Sequence, residues 1–205
     1  MQGVDEDPDG AGTTTHEAVR AAGRTARRAI DDAQHRLADA AVASNLLGLD
    51  ELSLPAQVGW YLATDAEVDL TPAVEALRER GAQLWLPVVG AQRTMAFAPW
   101  DHDTELRPNR YGIAEPVHEA GALAAATSLD VVVVPCVAVD TAGHRIGFGA
   151  GYYDRALAEA VGVVRLGVAF EVQVVDRIEP APWDVPLDVV VTEARVLRPD
   201  AHDPG

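Results

Sequence analysis

The sequence predicts a three-layer α/β/α fold with a largely parallel central sheet and an N-terminal helical hairpin. Segments of strand and helix character alternate along the chain, which is typical of layered α/β domains. The run LDVVVVPCVAV (129–139) is apolar and rich in β-branched residues, as expected for a strand covered on both faces. The 205 residues are 48% hydrophobic, enough for one substantial core. We expect a single domain over residues 14–198, with a disordered acidic tail at 1–13 and a second disordered tail at 199–205.

Polar capping residues mark two helices in the first 50 residues. The threonines at 13–15 offer N-caps for a first helix through HEAVRAAGRTARRAI, and Asp31 or Asp32 caps a second helix that ends near Leu47. The first helix carries arginines at helical spacing. A solvated face is the preferred interpretation for most of them: Arg20, Arg24, Arg27 and Arg28.

Strands and helices then alternate. A short buried strand at 57–63 precedes a helix with Thr71 as N-cap, Pro72 at its first position and Gly81 just past its end. Another helix is predicted at 152–162. Further strands are predicted at 83–89, 94–100, 129–139, 163–170 and, as one strand or a pair, 185–197.

Composition narrows the function classes. The net charge of −16 argues against a nucleic-acid groove and against binding to an anionic membrane. The chain has no lysine, so a Walker-type phosphate loop and a Schiff-base lysine are excluded. It has one cysteine, no signal peptide and no apolar run near the roughly 20 residues of a membrane span. We therefore expect a cytoplasmic protein, and a monomer.

Three glycines alternate at positions 147, 149 and 151 within RIGFGAGYYDRAL (145–157). They follow an apolar strand and its turn and precede a predicted helix, where open α/β sheets bind ligands. Glycines there leave backbone amides accessible, and the start of a helix favours an anion. The spacing G-x-G-x-G departs from the dinucleotide-binding pattern G-x-G-x-x-G.

The neighbours of these glycines suit a polyphosphate ligand with its metal ion. Arg145 offers a permanent charge and a forked donor for phosphate. Asp154 could hold a magnesium ion that bridges phosphates. Tyr152 and Tyr153 could pack against a flat ring and donate their hydroxyls. The alternative is a glycine-rich turn in which the two tyrosines are core or capping residues.

The segment VPCVAVDTAGHRIGFGAGYYDRAL (134–157) closely resembles the signature of the 5-formyltetrahydrofolate cyclo-ligase family, also called methenyltetrahydrofolate synthetases. That signature reads roughly V-P-G-x-A-F-D-x-x-G-x-R-x-G-x-G-x-G-Y-Y-D-R. The resemblance extends over most of the chain. Other segments similar to the family are the first helix with Arg20, EVDLTPAVEAL, LWLPVV with TMAF, YGIAEP and PWDVPLDVVVTE.

The resemblance implies a ligase of one-carbon metabolism. The family closes 5-formyltetrahydrofolate to 5,10-methenyltetrahydrofolate with ATP and Mg²⁺, releasing ADP and phosphate. The formyl oxygen takes the terminal phosphate of ATP, and the neighbouring nitrogen then attacks the activated carbon. Carried onto this chain, the resemblance implies catalytic roles for Arg145 and Tyr153 and a magnesium ligand at Asp154.

The resemblance also implies contacts with the two substrates. Folate would be bound by Glu67, Met95, Tyr111 and Tyr153. ATP would be bound by residues of the first helix and by residues 145–154, which form the glycine loop. These are His16, Arg20, Arg145, Gly147, Phe148, Gly149, Ala150, Gly151, Tyr152 and Asp154.

Four positions depart from the family pattern. His16 stands where the family usually has a lysine, and Ala150 stands where some members have one. A neutral imidazole carries less charge toward phosphates. Cys136 replaces the glycine after V-P, and Trp183 replaces the histidine before Asp184. The two missing lysines leave open a slower enzyme, one that relies on Arg20 and Arg24 instead, or a non-catalytic or divergent paralogue that binds folate or a nucleotide. A separate alternative is an ATP-independent enzyme on a related α/β scaffold, such as a sugar-phosphate isomerase.

Other polar or reactive residues have simpler interpretations. Cys136 is expected to pack in the core, and the triplet Asp-His-Asp at 101–103 to lie in a solvated loop. Glu67 by itself would complement a helix dipole, and Glu115 would orient either a loop or a ligand. The tryptophans are expected to pack in the core or at its edge: Trp60, Trp85, Trp100 and Trp183.

Overall fold

The computed structural model of the chain describes residues 9–53 and 56–199, so residues 1–8 and 200–205 of the two predicted tails lie outside it. Two helices precede the strands, and two lie between strands along the chain. They are α1 (Asp9–Arg28), α2 (Asp32–Leu47), α3 (Thr71–Glu79) and α4 (Tyr152–Leu157).

The strands form one large sheet and two small ones. In chain order they are β1 (Gln57–Gly59), β2 (Gln83–Val89), β3 (Met95–Trp100), β4 (Leu106–Pro108), β5 (Ala114–Pro116), β6 (Val131–Pro135), β7 (Ala138–Asp140), β8 (Arg145–Ile146), β9 (Val164–Val168), β10 (Val174–Val175), β11 (Val189–Val191) and β12 (Val196–Leu197).

The large sheet has the order β12-β11-β9-β6-β1-β2-β3. Its inner strands, from β11 to β2, are all parallel, and the edge strands β3 and β12 are antiparallel to their neighbours. The small sheets are β10-β7-β8 and β4-β5. The predicted layered fold with a largely parallel sheet is confirmed.

The β-branched run of β6 explains why this strand is central. Val131 and Val133 lie in the core that includes residues of α2 and α3, whereas Val132 and Val134 lie in the core that includes Leu157 of α4. Successive side chains of a strand point to opposite faces, so an unbroken apolar run is required where both faces are covered.

The run 129–139 is two strands rather than the one predicted. The backbone N–H of Cys136 still bonds to Val168 of β9, but the N–H of Val137 bonds to Ile146 of β8. The chain therefore leaves the large sheet at Pro135 and pairs in a small one. Hydrophobicity could not reveal this change, because both strands are buried.

The first two helices form the predicted hairpin with one boundary moved. Asp31 caps α2 by accepting hydrogen bonds from the backbone N–H groups of Ala33 and Gln34. α1 begins at Asp9, so residues 9–13, which the sequence placed in the tail, are helical and the threonines lie inside the helix. Extending a helix costs far less than starting one, which explains why the threonine caps did not set the boundary.

Three further boundaries differ from the prediction. The first strand is Gln57–Gly59 rather than 57–63, and α4 stops at Leu157 rather than at 162. α3 begins at Thr71 itself, whose backbone N–H and hydroxyl both donate to Asp69. No helix within the described ranges is long and apolar enough to cross a membrane.

Candidate active site

Two glycines of the glycine loop have backbones that other residues rarely adopt. Gly149 has φ 95° and Gly151 has φ 66°, which explains the choice of glycine there. A Cβ at Gly147 would meet nothing within 4 Å, so this part of the loop faces open space. α4, which follows, has only six residues, so any anion binding must rely on loop amides and side chains rather than on a long helix.

α1 packs closely against the connection between β6 and β7, beside the glycine loop. A Cβ on Gly23 would lie 2.2 Å from the carbonyl oxygen of Val137, so only glycine permits this approach. The contact places Arg20 on the loop, where its Nε donates to the carbonyl of Gly147 at 2.8 Å. The guanidinium carbon of Arg20 lies 3.3 Å from where a Cβ of Gly149 would be.

Arg145 and Asp154 bind each other. Arg145 Nη2 donates to Asp154 Oδ1 at 2.5 Å, and Arg145 Nη1 donates to the carbonyl of Val185. The backbone N–H of Val185 also donates to Asp154 Oδ1, at 3.3 Å. The Arg145 side chain is only 6% exposed. This guanidinium is therefore a buried link between the loop, α4 and the segment at Val185, rather than a free cation.

A cleft of about 400 Å³ opens beside the loop. We call it the loop cleft. Arg155 borders it and donates through Nη1 to the carbonyls of Ala150 and Gly151 at 3.1 and 3.0 Å. The residues that line it are Arg93, Gly149, Ala150, Gly151, Asp154, Arg155, Ala158 and Trp183.

Trp183 is 71% exposed and lines the loop cleft, so the prediction that it packs in the core or at its edge was wrong. The proline-rich sequence around it kept it out of a strand, and hydrophobicity alone favoured burial. Arg93 and Arg155 were not singled out by sequence reasoning. Arg155 was visible as the last residue of the Y-Y-D-R motif, whereas nothing local marked Arg93.

Exposed Tyr111 and half-buried Tyr152 meet at the glycine loop. Their hydroxyls are 3.0 Å apart, and Arg110 Nη2 donates to the Tyr152 hydroxyl at 2.7 Å. The hydrogen bond from Tyr111, followed by that from Arg110, lowers the pKa of Tyr152 despite some burial. The structure thus brings together two predicted ligand residues and adds Arg110, which sequence reasoning missed.

Glu67 is buried and only half satisfied. Its Oε2 accepts hydrogen bonds from the backbone N–H and the hydroxyl of Thr64, at 2.9 and 3.1 Å, while Oε1 has no partner. Burial raises the pKa of Glu67, although hydrogen bonds from Thr64 and the charge of Arg27 oppose the shift. Glu67 lies before α3 rather than in its first turn, so a helix dipole does not explain it.

Tyr153 lies on the same buried side. Burial, followed by the charge of Glu67, raises the pKa of Tyr153, so its hydroxyl stays protonated at neutral pH. Met95 and Tyr153 both pack against the core between the sheet and α4. The predicted folate residues Glu67, Met95 and Tyr153 therefore lie on or near the buried side of the loop. The fourth, Tyr111, lies on its exposed side.

The arginines of α1 do not form a solvated face, and that prediction was wrong. Arg24, Arg27 and Arg28 all bind Asp65, and the Arg27 side chain is fully buried. Although burial by itself would raise the pKa of Asp65, hydrogen bonds from these arginines lower it. The Phe148 ring lies 5.4 Å from the guanidinium carbons of both Arg24 and Arg27.

His16, a predicted ATP ligand, is half-buried, and its Nε2 contacts the carbonyl oxygen of Glu179 at 2.7 Å. The weaker candidates take structural places. Cys136 is buried, burial raises the pKa of its thiol to about 12, and its predicted packing role is confirmed. The loop at 101–103 is exposed, as predicted. Glu115 accepts from the Val89 N–H and the Asn109 amide, so it orients a loop.

The donor set does not form a protein-only metal site. Among residues 9–53 and 56–199, no three or more His, Cys, Asp or Glu side chains are grouped so as to hold a metal ion. Asp154 is a single carboxylate whose two described hydrogen bonds both fall on Oδ1. One carboxylate fits a magnesium ion only if phosphate oxygens and water complete its coordination.

Comparison with known proteins agrees with the resemblance in the sequence. The model of the 5-formyltetrahydrofolate cyclo-ligase family matches residues 13–193. The 5-formyltetrahydrofolate cyclo-ligase of Escherichia coli is 30% identical over 177 residues, covering 84% of this chain and 97% of that protein. The Haemophilus influenzae cyclo-ligase is 28% identical over 184 residues, covering 87% and 98%.

Solved structures agree as well. The NMR structure of Aquifex aeolicus 5,10-methenyltetrahydrofolate synthetase has a TM-score of 0.79 at 33% identity and covers 93% of this chain and 95% of that one. A 5,10-methenyltetrahydrofolate synthetase from Mycoplasma pneumoniae, 21% identical with a TM-score of 0.70, covers 87% and 98% and shares the fold.

Proposed function

The chain belongs to the 5-formyltetrahydrofolate cyclo-ligase family, and on that premise we propose that its glycine loop separates an ATP site in the loop cleft from a folate site around Glu67. The enzyme is an ATP-dependent ligase that closes 5-formyltetrahydrofolate to 5,10-methenyltetrahydrofolate. The observation that carries the placement of ATP is the position of Arg20 and Arg155, whose guanidinium groups both bond to loop carbonyls.

Positive charge supports the ATP site. Phosphoryl transfer depends mainly on positioning and on neutralising phosphate charge. Arg155 and Arg93 line the cleft where Ala150 replaces a family lysine, and Arg20 reaches the loop from α1. The exposed indole of Trp183 offers a flat surface on which an adenine ring can stack.

Burial supports the folate site. Glu67 Oε1 is a buried acceptor without a partner, a costly arrangement unless a ligand donor satisfies it. Tyr153 keeps its proton and can donate a hydrogen bond. A pterin ring has both donor and acceptor edges, so it matches this pair. Met95 supplies an apolar neighbour.

The chemistry follows from this arrangement. The formyl oxygen attacks the γ-phosphorus of ATP, an O–P bond forms and the bond to ADP breaks. The neighbouring nitrogen then attacks the activated carbon, loses its proton, and phosphate leaves with the former formyl oxygen. The side chains hold both substrates in place, since no covalent enzyme intermediate is needed. We assign Arg145 to shaping the loop for this transfer, because its contacts are with Asp154 and Val185.

Magnesium would be held through Asp154 Oδ2 together with phosphate oxygens and water. The bound ion supplies charge neutralisation at the transferred phosphate. Residues 14–198 would act as a single domain and as a monomer in the cytoplasm. Gel filtration of the purified protein, in which a dimer would contradict this assignment, tests the oligomeric state.

An absorbance assay tests the function. Purified protein is mixed with 5-formyltetrahydrofolate and Mg-ATP, and the near-ultraviolet absorbance of the methenyl product is followed. We expect a rise that needs ATP and is absent with ADP. A cyclo-ligase of known activity serves as the positive control. Ligand binding by calorimetry without turnover would instead favour the non-catalytic paralogue, and turnover of another substrate without ATP would favour a different enzyme.

A further inference from the structure

Arg27 has no role in the ATP and folate sites proposed so far, yet its surroundings are unusual for a charged residue. Its side chain is fully buried, and its Nε and Nη1 donors have no partner. Only Nη2 is bonded, to Asp65 at 2.8 Å. Leaving charged donors buried and unpaired is expensive, and a purely structural ion pair with Asp65 would not explain two idle N–H groups.

The unpaired atoms of Arg27 have unpaired counterparts nearby. Glu67, whose Oε1 also lacks a partner, closes the turn 64–67 through its hydrogen bonds with Thr64, and Arg27 bonds to Asp65 within that turn. Glu67 follows Asp65, the partner of Arg27, by two residues along the chain. The structure therefore holds idle donors and an idle acceptor in one buried region next to the glycine loop.

Phe148 covers this region from the loop. Its ring lies over the Arg27 guanidinium, 5.4 Å away, and is 46% exposed. A half-exposed ring on a loop segment can move aside, or give up its place to another flat ring, at smaller cost than a side chain packed in the core.

We propose that Arg27 is a substrate-binding residue, donating through Nε and Nη1 to the carbonyl edge of the pterin ring while Glu67 Oε1 accepts from the adjacent N–H edge. The inference rests on the proposed folate site. Its new content is a buried arginine of α1 as a ligand contact, with Phe148 yielding its place to the pterin. The amide-like edge of a pterin presents a carbonyl and an N–H side by side, which matches idle donors beside an idle acceptor.

Arg27→Gln tests the proposal against the matched control Arg28→Gln. Both residues bind Asp65, but Arg28 is 54% exposed. Binding of 5-formyltetrahydrofolate and of ATP is measured separately by calorimetry, with thermal unfolding on the same samples. We expect the folate Kd of Arg27→Gln to rise at least tenfold, with its ATP Kd within twofold of wild type. The control is expected to keep both constants within twofold.

A folded Arg27→Gln protein with an unchanged folate Kd would overturn the proposal, as would equal losses for folate and ATP. If that variant does not fold, the Nε–H resonance of Arg27 in ¹⁵N-labelled wild-type protein decides. A shift on adding 5-formyltetrahydrofolate but not ATP supports the contact, and no shift overturns it. Failure of the proposed function is distinguishable, because then the wild type itself would not bind or convert 5-formyltetrahydrofolate.

Discussion

Arg145 Nη2 lies 2.5 Å from Asp154 Oδ1, so the two charged residues of the glycine loop neutralise each other. The family resemblance predicts that Arg145 binds the phosphates and that Asp154 binds a metal ion. The ion pair also joins β8 to α4, and it shapes the loop between them. Their contributions to activity are therefore coupled to their contribution to stability.

Arg145→Ala and Asp154→Ala are each expected to lower turnover at least a hundredfold and to lower the free energy of unfolding. The Arg145 change is expected to cost about 3 kcal/mol, because it leaves a partly buried carboxylate unpaired. The double variant is expected to lose less stability than the two single losses combined. Urea denaturation and the absorbance assay measure both effects, and strictly additive stabilities would contradict the coupling.

Gly23→Ala is expected to destabilise the protein by about 1–3 kcal/mol and to raise the KM for ATP. A methyl group there would meet the Val137 carbonyl at 2.2 Å and push α1, with Arg20, off the loop. Alanine normally stabilises a helix interior, so the sign of the change is diagnostic. Gly48→Ala is the control, because Gly48 has φ −82° and space for a Cβ. An unchanged KM in a folded Gly23→Ala protein would exclude this role of the helix.

Glu67→Gln is expected to weaken folate binding at least tenfold while making the fold more stable at higher pH. Burial raises the pKa of Glu67 above its ordinary 4.5, so the ionised carboxyl destabilises the fold. That penalty is absent below the unfolded pKa and grows as pH rises through the folded pKa. The stability gain of the variant over wild type should thus be larger at about pH 8 than at about pH 4, below the ordinary pKa of the carboxyl. Chemical denaturation at both pH values measures it. Exposed Glu79→Gln should show no such trend.

His16→Lys is expected to lower the KM for ATP roughly fivefold, which corresponds to about 1 kcal/mol from a partly solvated charge. The gain should shrink at high salt. Ala150→Lys is expected to gain less, because Arg155 and Arg93 already line the cleft at that position. Steady-state kinetics at two salt concentrations separate the two variants. An equal or larger gain at Ala150 would mean that the arginines do not replace the family lysine.

Trp183 is expected to report nucleotide binding, because its exposed indole lines the loop cleft. Adding Mg-ATP should change the tryptophan fluorescence of the wild type. Trp183→Phe should abolish that change, whereas Trp100→Phe should keep it, since Trp100 packs over Arg78. A signal that survives in Trp183→Phe would place the base elsewhere.

Local sequence patterns were enough to predict the layered fold. The β-branched run of β6 predicted a strand covered on both faces, and the alternation of Val131 and Val132 between two cores confirms it. The Asp31 cap was correct because capping depends on a side chain and the next few amides. The point at which the chain leaves the large sheet for the small one was not predictable, since nothing in the apolar run shows that Val137 pairs with Ile146 of β8 instead of continuing along β9.

The sequence by itself determined the family, the glycine loop and most of the residues around it, because these lie in contiguous motifs whose spacing is local. Only the tertiary structure decided that Arg27 is buried, that Arg145 pairs with Asp154 and that Trp183 is exposed in the loop cleft. Helical spacing shows which arginines share a face, but what covers that face depends on Asp65 and Phe148, 38 and 121 residues away from Arg27. The environment of a charge is set by such distant neighbours.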